Sequence, residues 1–240
     1  MTIFELVKLA LDELYEETRE EFGARSDTEI KNKISYLSDS YNRLGQASRE
    51  PVNYKDPATR FAYVYKYVPA NADYLVQVME NCRVSGIELF ESETPRVSCI
   101  GGGPGSDIVA VLKYLDERRK SKPVESVTCH LLDREQAWGD TWGEIARSLK
   151  LGIAVHDHFQ SLDVTDPGSW KSQKRFLRAD LFTLSFFVSE VYSLDSDGTV
   201  SAFWKTLFES AKIGARFIYT DNGAYTFNDY FDNQWKKAGL

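Results

Sequence analysis

The chain is poor in the residues that build metal clusters and disulfide frameworks. Its 240 residues include only three cysteines and three histidines. Cys82, Cys99 and Cys129 show no metal-ligand spacing, and an odd number of cysteines does not suit a disulfide framework. Cys99 and Cys129 lie in apolar runs, where a thiol behaves as a small buried hydrophobe. We therefore expect no metal and a reducing intracellular compartment, with the cytoplasm favoured and the nucleus left open.

Long apolar runs and excess positive charge are also absent. No stretch approaches the length of a membrane span, and the N-terminus, with Glu5 close to its start, lacks the basic leader and long apolar core of a secretory signal. Lysine and arginine number 29 against 36 acidic residues, which gives a net charge of −7. This balance disfavours nucleic acid as a partner attracted by the overall field of the protein. We expect a soluble protein with no membrane partner.

Two short basic stretches and a pair of histidines stand out against this acidic background. The stretches are Arg118–Lys122 and Lys171–Arg178, and both are more typical of solvated helix ends and loops than of a binding surface. His156 and His158 alternate along a predicted strand and so point to one face of it. Because no cysteine or acidic ligand stands at a matching spacing, this pair predicts no metal site.

The first 94 residues have the apolar spacing of amphipathic helices. Near the N-terminus, Leu6, Leu11 and Leu14 recur among many glutamates. The pattern predicts an all-helical cap, or lid, over residues 1–94. Its predicted helices span residues 2–22, from 27 to about 41, from 56 or 57 to before Pro69, and 71–90, with a polar loop over 45–57.

From Pro95 the pattern changes to short apolar runs that alternate with helical stretches. Such alternation is typical of an α/β fold, with a doubly wound, mostly parallel sheet covered by helices on both faces. We expect this core to occupy residues 95–240. Its predicted strands span residues 96–100, 126–133, 154–162, 180–187 and 215–220. Its predicted helices span residues 107–118, 137–149, 199–211 and 225–238, with a helix or connector over 168–176.

A glycine cluster joins the first predicted strand of this core to its first helix. It runs from Gly101 to Gly105 as Gly-Gly-Gly-Pro-Gly. Glycine admits positive φ and lets a ligand approach the main chain, and the helix start behind it offers free N–H groups. Ser106 occupies the third glycine position of the dinucleotide fingerprint, and no Gly-Lys-Ser/Thr of a phosphate-binding loop follows. The complete match is Gly-x-Gly-x-Gly, which favours a nucleotide-like ligand and disfavours a nicotinamide dehydrogenase.

Together with this turn, an ordered series of motifs over residues 95–223 resembles the class I S-adenosylmethionine-dependent methyltransferases, which have a Rossmann-like fold. The order and regular spacing of the motifs make the resemblance specific, whereas each motif alone is weak. The matching segments are the strand and turn at 97–105, the second-strand acid in 131–134, the acid after the third strand in 159–164, the fourth strand at 179–186 and the fifth at 214–220.

The resemblance implies an enzyme that uses S-adenosylmethionine and releases S-adenosylhomocysteine. It leaves the methyl acceptor open, and a small molecule or a protein is favoured. One alternative is a ribosomal RNA methyltransferase, because some of those enzymes carry a similar Gly-Gly-Gly-Pro-Gly turn followed by an acid; the acidic balance counts against it. Another alternative is a non-catalytic module that keeps the fold and works through a partner.

The resemblance also implies a set of cofactor-binding residues. Asp133, at the end of a strand beside the turn, is expected to accept hydrogen bonds from the ribose hydroxyls, and Asp163 to accept one from the adenine amine. The alternatives are a helix cap for Asp133 and a turn acid for Asp163. The full predicted set is Gly101, Gly102, Gly103, Gly105, Tyr63, Asp107, Asp133, Arg134, Asp163, Val164 and Ser185.

Two members of this set have competing interpretations. Many relatives carry an acid where this chain has Cys99. Asp107 is expected either to supply the missing carboxylate to the ammonium group of the ligand or to act as a first-turn acid of its helix. Tyr63 shares a helix face with Tyr67, and it is expected either to cover the cofactor or, as the commoner outcome, to pack in the core.

The segment after the fourth predicted strand faces the methyl group in relatives. It has no Asn-Pro-Pro-Tyr-like run, which disfavours the amino-directed nucleic-acid enzymes that carry one. Glu190 and Tyr192 are the candidate catalytic residues and are expected to orient the acceptor, with Glu190 as a base if the acceptor loses a proton. A helix-capping or surface acid is the alternative for Glu190.

In relatives the sheet continues after the fifth strand with a helix and an antiparallel hairpin. Here the chain ends soon after the helix predicted at 225–238, so we expect the hairpin to be missing. An open sheet edge then needs cover from the helical region, from a partner chain or a second copy, or from further sequence beyond residue 240. The missing hairpin also makes catalytic turnover by this chain less expected.

Overall fold

Helices make up the N-terminal part of the chain, as the apolar spacing predicts. The computed structural model describes residues 2–43, 52–171 and 174–239. Its first helices are α1 (Ile3–Phe22), α2 (Ser26–Tyr41), α3 (Pro57–Lys66) and α4 (Val68–Val84). The last of these begins and ends earlier than predicted, because Pro69 is accommodated in its first turn. Of the loop predicted over 45–57, residues 45–51 lie outside the described residues.

Side-chain caps fix where two of these helices begin. Thr2 Oγ1 accepts a hydrogen bond from the Glu5 N–H at 3.2 Å, and Glu5 Oε2 accepts one from the Thr2 N–H at 2.6 Å. Before α3, Asp56 Oδ1 accepts a hydrogen bond from the Ala58 N–H at 3.0 Å, and Pro57 occupies the first turn. Caps of this kind contribute about 1 kcal/mol each. The helix start predicted at residue 56 or 57 is therefore confirmed.

The following part of the chain forms a five-stranded sheet, all parallel, in the order β3-β2-β1-β4-β5. This arrangement confirms the doubly wound α/β fold. The strands are β1 (Arg96–Ile100), β2 (Ser126–Asp133), β3 (Ala154–Ser161), β4 (Leu181–Ser185) and β5 (Arg216–Thr220). The helices that accompany them are α5 (Ser106–Arg118), α6 (Ala137–Ser148), α7 (Pro167–Lys171), α8 (Val188–Val191), α9 (Thr199–Ser210) and α10 (Tyr225–Lys237). Two 3-10 turns lie at Phe176–Arg178 and Tyr192–Leu194.

Alternate side chains of the central strands point to two helical layers. Cys99 and Leu131 pack with α1, α4, α5 and α6, whereas Ile100 and Leu132 pack with α8, α9 and α10. Because α1 contacts α6 and α4 contacts α5, the N-terminal helices share one hydrophobic core with the sheet. Each large apolar side chain buried there contributes about 1.5–3 kcal/mol. The division into a cap over 1–94 and a core over 95–240 stays a prediction.

Strands β3 and β5 form the two edges of the sheet, and no antiparallel strand joins it within the described parts of the chain. Beside β5, the rings of Tyr219 and Phe231 lie 4.6 Å apart between centroids, so α10 covers part of that edge strand. Cover of a sheet edge by another chain stays a prediction. None of the described helices combines the length and the apolar character that crossing a membrane requires.

The bend between β1 and α5 requires glycine at position 105. Gly105 has a φ of 92°, in the left-handed region, and a Cβ atom added there would lie 2.3 Å from the ring of Trp142. Trp142 is buried, and its Nε1 donates a hydrogen bond to Asp157 Oδ2 at 2.6 Å, so its ring is held in place. Gly103, in the same bend, also has a positive φ of 51°, but no described atom lies within 4 Å of a Cβ added there.

We expect Gly105→Ala to lower the free energy of unfolding by about 2–5 kcal/mol, because it adds overpacking against Trp142 to left-handed backbone strain. The matched control, Gly103→Ala, adds only the strain and is expected to cost about 1–2 kcal/mol. Urea unfolding followed by tryptophan fluorescence measures both values. Equal losses in the two variants would contradict the packing role of Trp142.

Candidate functional site

The end of β2 holds the glycine bend in place at the carboxyl end of β1. Asp133 Oδ2 accepts a hydrogen bond from the Gly103 N–H at 2.9 Å, and its Oδ1 accepts one from the Glu135 N–H at 2.9 Å. The Gly102 N–H donates to the Leu132 carbonyl at 3.0 Å. Both carboxylate oxygens of Asp133 therefore shape the bend, and each oxygen keeps the capacity to accept a further hydrogen bond.

Burial sets the protonation of Asp133. It raises the pKa of Asp133 to about 6, although the hydrogen bonds from Glu135 and Gly103 act to lower it. A carboxyl group with this pKa is mostly ionised at pH 7 but gains a proton under mildly acidic conditions. Donor groups of a ligand that favour the ionised form would lower this pKa again.

A cleft of about 150 Å³ opens beside this bend, at the carboxyl ends of the strands. The chain adds β2 and β3 on one side of β1 and adds β4 and β5 on the other, so the cleft lies where the strand order reverses. Ligands of open α/β sheets bind at such a switch point. The described lining residues are Val52, Tyr54, Gly101, Asp133, Arg134, Glu135, Leu162, Asp163, Val164, Phe187, Glu190, Val191, Ser193 and Leu194.

The cleft brings together predicted cofactor and catalytic residues from four separate segments. Asp163 also closes a local turn, because its Oδ1 accepts hydrogen bonds from the Thr165 N–H at 2.9 Å and from the Thr165 hydroxyl at 2.6 Å. Asp163 therefore caps a local turn and also lines the cleft. The predicted residues that line the cleft are Gly101, Asp133, Arg134, Asp163, Val164 and Glu190.

The remaining predicted residues surround the cleft without lining it. Among them, Gly102 serves packing, because a Cβ atom there would lie 2.5 Å from Leu131. The structure places this group behind the lining or beside it, so their contact with a ligand stays a prediction. The group consists of Gly102, Gly103, Gly105, Tyr63, Asp107, Ser185 and Tyr192.

Asp107 lies in a buried polar cluster next to the glycine bend. It is 2% exposed, and its Oδ2 has no hydrogen-bond partner among the described residues. Burial raises the pKa of Asp107, and the hydroxyls of Thr183 and Ser185 oppose that rise. Cys99, paired with Thr183 in the sheet register, faces the same group, and its own thiol pKa is raised by burial and then by Asp107. A carboxylate with unused accepting capacity therefore stands beside the position where many relatives carry their acid.

Comparison with known protein families assigns the chain to a family. Residues 52–229 match the protein family described as "Putative SAM-dependent methyltransferase". The chain belongs to this family. The match spans the glycine bend, all five strands and every described lining residue of the cleft, so the resemblance stated from the sequence motifs is confirmed. A search of the curated proteins found no match.

In this member of the methyltransferase family, Phe187 forms an aromatic wall that the sequence did not predict. Its ring fills the space that a side chain at position 101 would need, 2.1 Å from a Cβ atom added to Gly101. The preceding Phe186 has a φ of 57°, and its N–H donates to the Thr220 carbonyl at 2.7 Å. A non-glycine residue in this region costs on the order of 1–3 kcal/mol, and such strain clusters at functional sites.

Tyr54 reaches the cleft from the segment before α3, and its neighbours hold it there. Its hydroxyl is hydrogen-bonded to that of Tyr41, and its ring lies 5.0 Å from Trp138 and 5.5 Å from Tyr63. Burial, and then the negative charge of Glu190, raise the pKa of Tyr54. Tyr54 is therefore a neutral phenol beside a carboxylate. Tyr63 packs against the rings of Tyr54 and Trp138 at the edge of the hydrophobic core, and a contact with the cofactor stays a prediction.

Arg60 anchors the segment that carries Tyr54. Its Nη1 donates hydrogen bonds to the Tyr54 carbonyl at 3.0 Å and to the Lys55 carbonyl at 2.8 Å. Its Nη2 forms an ion pair with Glu17 of α1. Because Arg60 is nearly fully buried, these charged hydrogen bonds fix the cleft wall against the N-terminal helices.

Of the two candidate catalytic residues, Glu190 lines the cleft and Tyr192 does not. Glu190 lines the cleft from α8, and the Ser189 N–H at the start of that helix donates to Asp221 Oδ2 at 2.8 Å. The ring of Tyr192 packs instead against Phe227 at 5.6 Å and Tyr230 at 5.2 Å between centroids. The geometry therefore favours Glu190 as the residue beside a bound acceptor, and a catalytic role for either residue stays a prediction.

Replacing Asp133 with asparagine tests its raised pKa. The folded pKa of about 6 lies above the ordinary value of 3.8, so the stabilisation that the protonated form brings is full below pH 3.8 and is lost as the pH rises through about 6. We expect the wild type to lose on the order of 2 kcal/mol of unfolding free energy relative to Asp133→Asn between about pH 4 and pH 7. Denaturant unfolding at each pH measures the difference, and a constant difference would contradict the buried environment of Asp133.

Proposed function

We propose that this chain binds S-adenosylmethionine in the cleft and transfers its methyl group to an acceptor that enters beside Glu190. The observation that carries the proposal is the position of Asp133, which closes the glycine bend at the strand-order reversal and faces the cleft. In an open α/β sheet, an acid at this place is suited to accept hydrogen bonds from ribose hydroxyls.

The residues present fit this cofactor. Asp133 would hold the ribose with the remaining lone pairs of its carboxylate, and Asp163 with Val164 would hold the adenine. Asp107, whose buried Oδ2 has no partner among the described residues, is suited to accept a hydrogen bond from the ammonium group. A buried carboxylate oxygen that lacks a hydrogen-bond donor is costly to retain in a fold, which supports a role that a cationic ligand completes.

Charge at the cleft also supports a cationic ligand. The described lining residues include four acids, Asp133, Glu135, Asp163 and Glu190, against one base, Arg134. When bound, S-adenosylmethionine supplies a methyl group on a positively charged sulfur and leaves as S-adenosylhomocysteine. In a partly buried cleft the attraction between such a ligand and the acids is stronger than it would be in water.

The chain's own contribution to the reaction is alignment and exclusion of water. Phe187 and Tyr54 form apolar walls on two sides of the cleft, and Arg60 keeps the Tyr54 segment in place. Holding two reactants in line removes much of the entropic part of the barrier. Glu190 is placed to orient the acceptor and to take its proton where the acceptor has one to lose. The neutral Tyr54 phenol lies beside it and lines the same cleft.

As the methyl acceptor we favour a small molecule or a protein side chain. The alternatives, a ribosomal RNA acceptor and a module that holds the cofactor without turnover, are separated by one assay. Methyl transfer from labelled S-adenosylmethionine into RNA, protein and metabolite fractions names the acceptor class. Cofactor binding with no labelled fraction would indicate the non-catalytic module.

We expect S-adenosylhomocysteine to bind in calorimetric titration and NAD to give no heat. Asp133→Asn is expected to weaken binding at least tenfold, which corresponds to about 1.4 kcal/mol, because one charged acceptor for the ribose is lost. The control Asp140→Asn removes an exposed acid of α6 outside the cleft and is expected to bind as the wild type does. No uptake of S-adenosylhomocysteine by the wild type, or equal affinity in both variants, would contradict the proposed function.

Glu190→Gln is expected to lower the rate of methyl transfer about 100-fold or more while leaving the affinity for S-adenosylhomocysteine within twofold of the wild type. The reason is that Glu190 serves the acceptor rather than the cofactor. The matched control Glu209→Gln changes an exposed acid of α9. Transfer by Glu190→Gln at the rate of this control would exclude Glu190 as an acceptor-orienting residue.

A further inference from the structure

A second groove lies on the sheet face that carries Ile100 and Leu132, away from the cleft at the carboxyl ends of the strands. Its volume is about 630 Å³, and side chains of β1, β2 and β3 form its floor. After β3, the described part of α7 spans the five residues Pro167–Lys171. Trp170 of this helix belongs to the same apolar cluster as Leu132, whereas Thr128, His130, His156 and His158 line the open groove.

Strand periodicity brings the three histidines of the chain together on the groove floor. His130 of β2 pairs with His158 of β3, and their rings lie 5.4 Å apart between centroids at an interplanar angle of 28°. His156 lies one alternation earlier on β3, and Arg96 begins β1 on the same face. Among the described residues, no group of three or more histidine, cysteine or acidic side chains is arranged to hold a metal ion.

Three further cations form the opposite wall of this groove. Lys174 and Arg175 precede the 3-10 turn at Phe176–Arg178, and Arg178 ends it. The turn is pinned to the sheet, because Ser98 Oγ of β1 donates a hydrogen bond to the Phe176 carbonyl at 2.7 Å and the Phe176 side chain is buried. The arginines therefore project from a fixed piece of backbone rather than from a free loop.

These positive charges have no acidic partner among the residues that the structure describes. Within the described residues, no carboxylate lies within ion-pair distance of Arg96, Lys174, Arg175 or Arg178, and no acid lines the groove. The nearby Asp180 accepts a hydrogen bond from the Arg96 main-chain N–H at 2.6 Å and pairs its side chain with Lys212. In a chain of net charge −7, four cations around one groove, with no acidic partner in the described ranges, form a local positive field.

We propose that this groove binds the phosphate groups of a ligand. Guanidinium groups match phosphate oxygens with two parallel hydrogen bonds, and the groove offers three of them with one ammonium group. The histidine rings add N–H donors on the floor. Burial, then the nearby His158, Arg96 and Arg175, lower the pKa of His130 to about 4, so His130 is a neutral donor at pH 7. The site is separate from the cleft and does not depend on methyl transfer.

The test uses two probes, inorganic tripolyphosphate in calorimetry and a fluorescein-labelled single-stranded RNA of mixed sequence in anisotropy. We expect the wild type to bind at about 50 mM salt, and Arg175→Glu with Arg178→Glu to lose at least tenfold in affinity. For the RNA, the dependence of affinity on salt is also expected to become less steep, because fewer phosphates are neutralised. The control, Lys205→Glu with Lys237→Glu, makes the same change in net charge on the β5 side of the molecule and is expected to stay within twofold of the wild type.

The outcomes separate the sources of phosphate. If the wild type binds RNA more than tenfold more tightly than tripolyphosphate, the ligand is a nucleic-acid backbone. If the two affinities are similar, the ligand is a small phosphorylated molecule. Both results support the proposal. Binding of neither probe by the wild type, or equal losses in the two double variants, overturns it. A urea unfolding curve equal to that of the wild type shows that the Arg175→Glu, Arg178→Glu variant is folded. If this variant does not fold, Arg175→Gln with Arg178→Gln replaces it, and the same tenfold loss of affinity is expected.

Discussion

The pair of hydrogen bonds that Asp133 accepts from Gly103 and Glu135 is the constraint on which the candidate site depends. It joins the bend after β1 to the end of β2, so the two central strands present their carboxyl ends as one rigid edge. The bend has little freedom elsewhere, since Gly101 packs on Phe187 and Gly105 on Trp142. A single carboxylate thus shapes the backbone and remains able to accept hydrogen bonds from a ligand. Its raised pKa is the electrostatic cost of that burial.

The carboxyl ends of the strands and the open face of β2 and β3 carry opposite chemistry. At the carboxyl ends of the strands, acids line the cleft, and Asp107 Oδ2, which has no hydrogen-bond partner among the described residues, is buried in the first turn of α5. On the open face of β2 and β3, cations and histidines gather without acidic partners. Net charge conceals this division, because the acids on the remaining surface outnumber the bases. Membership of the methyltransferase family supports the proposed cofactor site in the acidic cleft, whereas the proposed phosphate site in the basic groove is inferred from geometry and charge alone.

Sequence periodicity predicted what depends on local burial. The bounds of β1 and β2 match the prediction, because both are short apolar runs with clear limits: β1 lies between Pro95 and Gly101, and β2 ends at Asp133. Tyr54 and Phe187 were missed, since their places in the cleft are set by contacts distant in sequence, with Trp138 and with Gly101. From the sequence alone, the basic stretch at 171–178 is typical of a solvated loop, and the histidines of β3 predict no metal site. Only the pairing of β2 with β3 and the Ser98 hydrogen bond to Phe176 bring them to one groove.

The central claim is that the glycine bend and Asp133 form the floor of a cofactor site, and a crystal structure of the chain with S-adenosylhomocysteine tests it most directly. The account predicts that the ribose hydroxyls donate to the Asp133 carboxylate and that the ligand lies beside the bend at the carboxyl ends of β1 and β2. A ligand bound elsewhere, or a ribose with no hydrogen bond to Asp133, would contradict it.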